Sequence, residues 1–146
     1  MAEIYLVGFD GSAGSHGAVN FAMQRSKVNR KGVELHLAYI IEWSPYSFLT
    51  PQELEQRHRD KEIELQRGYG VIVEPMLAEL RAQGVVAEGI ARHGHAAQIL
   101  CDLARELRAV QIFIGRHGSS ELYARVFGSV PGTLVQIAPV PVTVVP

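Results

Sequence analysis

Glycine and serine residues in the last third of the chain are spaced for contact with a phosphorylated ligand. Gly115 closes an apolar run, Gly118 follows three residues later, and Gly128 and Ser129 stand directly before a predicted helix. Glycine lets a ligand approach the backbone closely. A helix N-terminus offers free N–H groups and the positive end of the helix dipole, and both attract phosphate. The spacing therefore predicts an anion site, and the alternative interpretation is a glycine-rich loop that only makes turns.

The same segment carries cationic side chains and a hydroxyl that suit a phosphate. Ser129 supplies the hydroxyl, and Arg116 and Arg125 are placed to offset part of the phosphate charge. His117 is either an ordinary loop histidine or a group that senses phosphate charge. Its surroundings in the sequence give only slight support for a catalytic role.

His93, His95 and Cys101 are the other residues with metal-binding or nucleophilic chemistry. A zinc site needs four protein ligands, or three and a water, and no second cluster of such residues accompanies these three. We therefore favour turn and surface histidines over a metal site. Cys101 is predicted to be an inert, partly buried thiol, because no base stands at a recognisable partner spacing.

Short apolar runs alternate with longer amphipathic runs along the 146 residues, as in strands joined by helices. Strands separated by helices pair in parallel with right-handed crossovers. The sequence therefore predicts an α/β fold: an open five-stranded parallel sheet flanked by helices, a doubly wound three-layer sandwich in a single domain of residues 1–146. The predicted strands are 4–9, 33–41, 85–91, 110–114 and 142–145. The first predicted helix follows the turn at 10–12 and ends between Lys27 and Lys31, and the others are 51–83 with an interruption near Gly68 and Gly70, 96–107 and 131–137.

Three segments are expected to meet at one edge of this sheet. Ligands of open α/β sheets bind beyond the carboxyl ends of the strands, where the strand order switches. The segments are Asp10-Gly11-Ser12, the end of the second strand, and the residues from Gly115 onward. Asp10 either contacts the ligand or only caps the first helix or holds its turn.

Composition excludes several classes of protein. The net charge is −1, and the absence of a basic block argues against a dedicated nucleic-acid binder. The single cysteine rules out an intramolecular disulfide. No window approaches the roughly 18–20 consecutive apolar residues of a membrane helix, and the N-terminal residues lack the pattern of a signal peptide. We expect a cytoplasmic protein without membrane insertion.

The motifs resemble those of a known family. The spacing Gly115-x2-Gly118-x9-Gly128-Ser129 is similar to the nucleotide-binding signature of universal stress proteins of the ATP-binding branch. Gly94 resembles the turn after that family's third strand. The opening Val7-Gly8-Phe9-Asp10-Gly11-Ser12 and the ending Val140-Pro141-Val142-Thr143-Val144-Val145 resemble its first and last strands. The resemblance implies a fold like that of the adenine nucleotide alpha hydrolases.

The resemblance also implies residue roles toward ATP. Asp10 would lie at the adenine and ribose end, and the backbone of Ile40 would hydrogen-bond adenine. The turn residues Gly11 and Ser12 and the loop residues Arg116 and His117 would flank the ligand. Gly115 and Gly118 would lie against ribose and phosphates, and Gly128, Ser129 and Val130 would bind the triphosphate. Mg²⁺ or Mn²⁺ would be carried by the phosphates, with Ser129 as an additional ligand, rather than by a side-chain cluster.

The resemblance implies a homodimer that pairs its last strands, here Val142–Val145. Exposed strand edges invite pairing, and Pro141 and Pro146 restrict how far it extends. An ATP-binding stress-response protein of this kind would act through a protein partner, whose identity the residues leave open.

The sequence departs from the family's pattern at three positions, and the departures at Gly8 and Tyr39 keep a second function open. Gly8, Tyr39 and Val110 stand where the family commonly has proline or a small apolar residue, histidine, and an acidic residue. They affect the adenine end of the site more than the phosphate motif. The alternative is a dimeric interaction module that binds AMP, a cyclic nucleotide or no nucleotide.

Catalytic motifs are missing from the sequence. No Gly-x4-Gly-Lys-Ser/Thr, Gly-x-Gly-x-x-Gly, His-Glu-x-x-His or Gly-x-Ser-x-Gly is present. No acid and base can be paired to activate a water. We therefore predict at most slow ATP hydrolysis or autophosphorylation, and a weak ATPase is the third possibility.

Trp43, Tyr46 and Phe48 form an aromatic group after the second strand. They either pack under the long helix or at a dimer surface, or cover the ligand pocket. Packing is the favoured interpretation.

Overall fold

A computed structural model describes residues 2–42, 49–117 and 129–146. The aromatic group Trp43, Tyr46 and Phe48 therefore lies outside the described residues, as do Gly118, Arg125 and Gly128. The elements in chain order are β1 (Glu3–Gly8), α1 (Ala13–Lys27), β2 (Val33–Ile41), α2 (Pro51–Gly68), a π-helical turn (Tyr69–Val73), α3 (Glu74–Ala82), β3 (Val86–His93), α4 (Ala96–Leu107), β4 (Gln111–Gly115), α5 (Ser129–Ile137) and β5 (Val142–Val145).

The five strands form one parallel sheet in the order β3-β2-β1-β4-β5. Tyr5 of β1 pairs with Leu35 of β2 on one side and with Gln111 of β4 on the other. The chain thus adds β2 and β3 on one side of β1 and then adds β4 and β5 on the other side. This reversal beside β1 is the switch point of a doubly wound sheet.

Helices cover both faces of the sheet, which confirms the predicted open α/β sandwich. Side chains alternate along β1, so that Tyr5 and Val7 enter one apolar cluster and Leu6 the other. The first cluster includes residues of α1 and α3, and the second includes residues of α4 and α5. Two separate cores, one on each side of the sheet, hold the three layers together.

The long helical segment after β2 begins with a capping box. The Thr50 hydroxyl accepts a hydrogen bond from the Glu53 N–H at 3.1 Å, and the Glu53 carboxylate accepts one from the Thr50 N–H at 3.0 Å. At Gly68 the α-helical ladder changes to the π-helical turn and then resumes as α3. The expected interruption near Gly68 and Gly70 is confirmed, and the chain turns after it through Gly84, whose φ is +80°.

Two local expectations were wrong. Arg92 and His93, predicted as a turn, are the last residues of β3, because they continue the ladder opposite Ile40 and Ile41 of β2. Cys101, predicted to be partly buried, is 1% exposed and belongs to the core under α4. Within the described ranges, no helix is both long and apolar enough to cross a membrane.

Candidate functional site

A cavity of about 500 Å³ lies beyond the carboxyl ends of β1, β2 and β4. The strand order reverses between β1 and β4, so the cavity lies at the switch point of the sheet. Its wall is drawn from the loop after β1, the end of β2, the π-helical turn, the residues after β4 and the start of α5. The fold therefore creates a concave site at the place expected for a ligand of a doubly wound sheet.

The turn between β1 and α1 is held by its own side chains. The Asp10 carboxylate accepts a hydrogen bond from the Ser12 N–H at 2.9 Å, and Gly11 adopts a φ of +83°. The Ser12 hydroxyl accepts one from the Ser15 N–H at 3.2 Å and so caps α1. Asp10 therefore organises the turn but does not cap the helix, and both Asp10 and Ser12 line the cavity.

The end of β2 and the residue after it line the cavity through Tyr39, Ile40 and Glu42. Ile40 is half-buried and packs against the apolar cluster that includes residues of α4 and α5. The Glu42 carboxylate accepts a hydrogen bond from the Ala96 N–H at 2.9 Å, at the start of α4. The pKa of the Tyr39 hydroxyl is raised above its usual value, first by burial and then by the negative charges of Glu64 and Asp10.

The last residue of β4 and the two residues after it form the rim of the cavity. Gly115, Arg116 and His117 all line it, and the Arg116 Nε lies 3.3 Å from the His117 Nε2. The Arg116 N–H donates to the carbonyl of Val145 at 2.7 Å, which ties this segment to the end of β5. The two basic side chains are exposed, so they remain accessible to a ligand at the rim.

The structure gathers most of the residues that the sequence singled out. The predicted residues that line the cavity are Asp10, Ser12, Ile40, Gly115, Arg116, His117 and Val130. Gly11 lies in the turn between two of them without lining the cavity, and Ser129 is the first residue of α5. Gly118 and Gly128 lie outside the described residues, so the second half of the glycine motif stays a prediction.

Other cavity residues were missed by sequence reasoning. Ile72 reaches the cavity from the π-helical turn, and a methyl group on Gly11 would lie 3.0 Å from its Cγ2 atom. Glu42 also lines the cavity. Gly68 and Gly70 were the available signal in the sequence for an irregular helix at this place. An irregular helix points to a site because π-helical turns frequently occur at functional sites.

Metal-binding side chains do not converge in the parts of the chain that the structure describes. No three His, Cys, Asp or Glu side chains there are grouped to hold an ion. His93 lies on β3, whereas Cys101 lies in the core under α4. Burial is the main cause that raises the pKa of the Cys101 thiol, which keeps it protonated and unreactive.

Comparisons with known proteins agree with this architecture. The profile of the universal stress protein family matches residues 1–146. A hypothetical protein whose biochemical function was assigned from its structure superposes with a TM-score of 0.79 at 21% identity, covering 99% of this chain and 96% of that chain. We found no match among curated protein sequences.

Two further solved structures contain nucleotides. A universal stress protein in complex with cAMP has a TM-score of 0.65 and 24% identity, with 99% of this chain and 97% of that chain covered. One from Arabidopsis thaliana with AMP bound has a TM-score of 0.64 and 15% identity, with 98% and 90% covered. At these identities the likeness establishes a shared fold. Because the family profile matches all 146 residues, this chain belongs to the universal stress protein family.

Proposed function

We propose that the chain is an adenine-nucleotide-binding regulatory protein that holds its ligand in the cavity beyond β1, β2 and β4. The observation that carries this proposal is the meeting of three loops at the switch point, around a cavity of about 500 Å³. Small-molecule sites usually measure about 300–1,000 Å³. The two similar structures that contain cAMP and AMP add support for an adenine ligand.

The residues around the cavity suggest which way the nucleotide lies. Asp10, in the turn after β1, and Ile40, near the end of the neighbouring strand β2, would face ribose and adenine. Arg116 and His117 at the rim, with the N-terminus of α5 beside Val130, would face the phosphates. The roles of Gly118, Gly128 and Ser129 rest on their spacing in the sequence.

ATP with Mg²⁺ or Mn²⁺ is the ligand that the glycine spacing favours. Hard cations prefer oxygen ligands. The phosphate oxygens and the Ser129 hydroxyl would supply these ligands. AMP or a cyclic nucleotide is the second candidate, favoured by the carboxylates of Asp10 and Glu42 on the wall. Two negative groups oppose a triphosphate more than a monophosphate.

We assign no catalytic residue. We assign no side chain the role of general acid or general base, so we expect at most slow phosphate release. Nucleotide occupancy would instead bias the surface that the loops present to a protein partner, by differential affinity for two states. If phosphate release survives an inactivating Ser129→Ala or Gly128 substitution, it comes from a contaminant rather than from this site.

We propose in addition that two copies pair through β5. β5 is an edge strand of the sheet, hydrogen-bonded only on its β4 side in the described chain. A second β5 would satisfy the outward backbone groups. The four residues Val142–Val145 are half-buried in the monomer, which leaves apolar surface for the partner.

Calorimetry on ligand-stripped protein tests the nucleotide proposal. ATP, ADP, AMP and cAMP are titrated with and without Mg²⁺, into the wild type and into Asp10→Asn. Loss of a charged hydrogen bond is worth about 1.5–3 kcal/mol, so Asp10→Asn should weaken binding by about 10- to 100-fold. Asp60→Asn is the matched control, because Asp60 lies exposed on α2. Failure of all four nucleotides to bind the wild type contradicts the proposal.

A further inference from the structure

Two glycines from distant parts of the chain lie in backbone contact at the rim of the cavity. Gly14 is in the first turn of α1, and Gly115 is the last residue of β4. A methyl group on Gly115 would lie 2.6 Å from the Gly14 carbonyl oxygen and 3.0 Å from the Ser15 nitrogen. A methyl group on Gly14 would overlap the carbonyl oxygen of His117. There is no room for a side chain at either glycine.

The opposite side of the same segment is held by β5. The Arg116 N–H donates to the Val145 carbonyl at 2.7 Å, which is a short N–H···O distance. Residues 115–117 thus run between the first turn of α1 and the end of β5. The direction in which the chain leaves β4 is set by contacts on both sides.

Glycine is required at only one of two similar positions in α1. Gly14 and Gly17 lie in consecutive turns of the helix, where glycine is a poor helix former. The nearest neighbour of a methyl group on Gly17 would be the Val145 Cγ1 at 3.8 Å, an ordinary contact. The close approach of His117 therefore distinguishes Gly14 from its neighbour in the same helix.

We propose that Gly14 is a positioning residue for ligand binding. Its missing side chain lets the chain after β4 pass directly against α1, which places Arg116 and His117 at the cavity rim where the phosphates would lie. Gly14 acts through the backbone of His117 and touches no ligand. This inference rests on the proposed function, because it explains how the phosphate end of that same site is built.

The test compares Gly14→Ala with Gly17→Ala. In Gly14→Ala the methyl group pushes the His117 carbonyl away, so AMP and ATP should bind about tenfold more weakly or worse, because hydrogen bonds weaken steeply with distance. The Arg116 amide should also lose its protection from hydrogen exchange. Gly17→Ala should bind both nucleotides as the wild type does and keep the Arg116 amide protected. An unchanged dissociation constant in Gly14→Ala overturns the inference.

Hydrogen exchange separates this inference from the proposed function. If the wild type binds no nucleotide, the proposed function fails, and equal Arg116 protection in the two variants then overturns the inference as well. If Gly14→Ala does not fold, hydrogen exchange of the Arg116 amide in the unliganded wild type provides the test. Its Arg116 amide must be protected before any ligand is added, and exchange at the rate of an unstructured peptide overturns the inference.

Discussion

Tyr39 is the cavity residue whose chemistry depends most on its surroundings. It is 9% exposed, and its ring lies against Gly68 at the end of α2. Burial and the charges of Glu64 and Asp10 raise the pKa of its hydroxyl above 10.0. The folded protein therefore holds this proton more tightly than the unfolded chain does.

This difference predicts a loss of stability at alkaline pH. Above pH 10 the unfolded Tyr39 loses its proton while the folded Tyr39 keeps it, so the free energy of unfolding falls as pH rises. Tyr39→Phe should reduce that fall without changing its sign, since Tyr69 also has a raised pKa. Urea unfolding at neutral and at alkaline pH measures the effect, and equal pH slopes for wild type and variant contradict it.

The π-helical turn Tyr69–Val73 is the element that joins the cavity to the long helix α2. Ile72 reaches the cavity, Tyr39 packs on Gly68 directly before the turn, and Tyr69 packs on Gly89 of β3. These contacts join the turn to the cavity, to β2 and to β3. The irregular turn allows side chains on either side of it to meet neighbours that a regular helix would not align.

A pair of alanine substitutions at this junction tests the packing. In Gly68→Ala the methyl group would overlap the Tyr39 hydroxyl and lie 2.8 Å from its Cζ, so overpacking should cost about 1–3 kcal/mol. Gly70 has nothing within 4 Å of an added methyl group. Gly70→Ala should therefore stabilise by about 0.4–1 kcal/mol. Chemical denaturation of both variants gives the comparison, and equal midpoints would show that the ring moves aside freely.

At the scale of the whole molecule, the two edges of the sheet differ. On the β3 edge, Arg81 donates two hydrogen bonds to the Ala87 carbonyl at 2.7 and 3.1 Å, and Arg92 donates one to the Ala91 carbonyl at 3.0 Å. These arginines occupy carbonyls that a partner strand would need. Blunting an edge with charged side chains is a common protection against pairing, and it favours β5 as the dimer edge.

A proline on β5 tests the proposed dimer. The carbonyls of Pro141 and Val145 accept hydrogen bonds from β4, and backbone groups alternate along a strand, so those of Val144 point away from β4. Val144→Pro therefore removes an outward N–H while it spares the bonds to β4. Sedimentation should show a monomer with the wild-type circular dichroism spectrum. A variant that stays dimeric would place the interface elsewhere.

Much of the local structure could be read from the residues. The predicted bounds of β2, α4 and β5 agree with the structure, because apolar periodicity and turn residues are local signals. The local signals did not show that Arg92 and His93 belong to β3. Their pairing with β2 depends on how far a partner strand extends, which no neighbouring residue encodes.

The sequence by itself determined the order of the elements, their parallel pairing and the family whose motifs they carry. Only the tertiary structure decided that Cys101 faces the core and that Gly14 meets Gly115. Gly115 lines the cavity, and the structure shows in addition that the backbone of α1 leaves no room for a side chain on it. The physical reason is that periodicity and capping act over a few residues, whereas close packing joins positions about a hundred residues apart, and only the folded backbone shows which side chains have room.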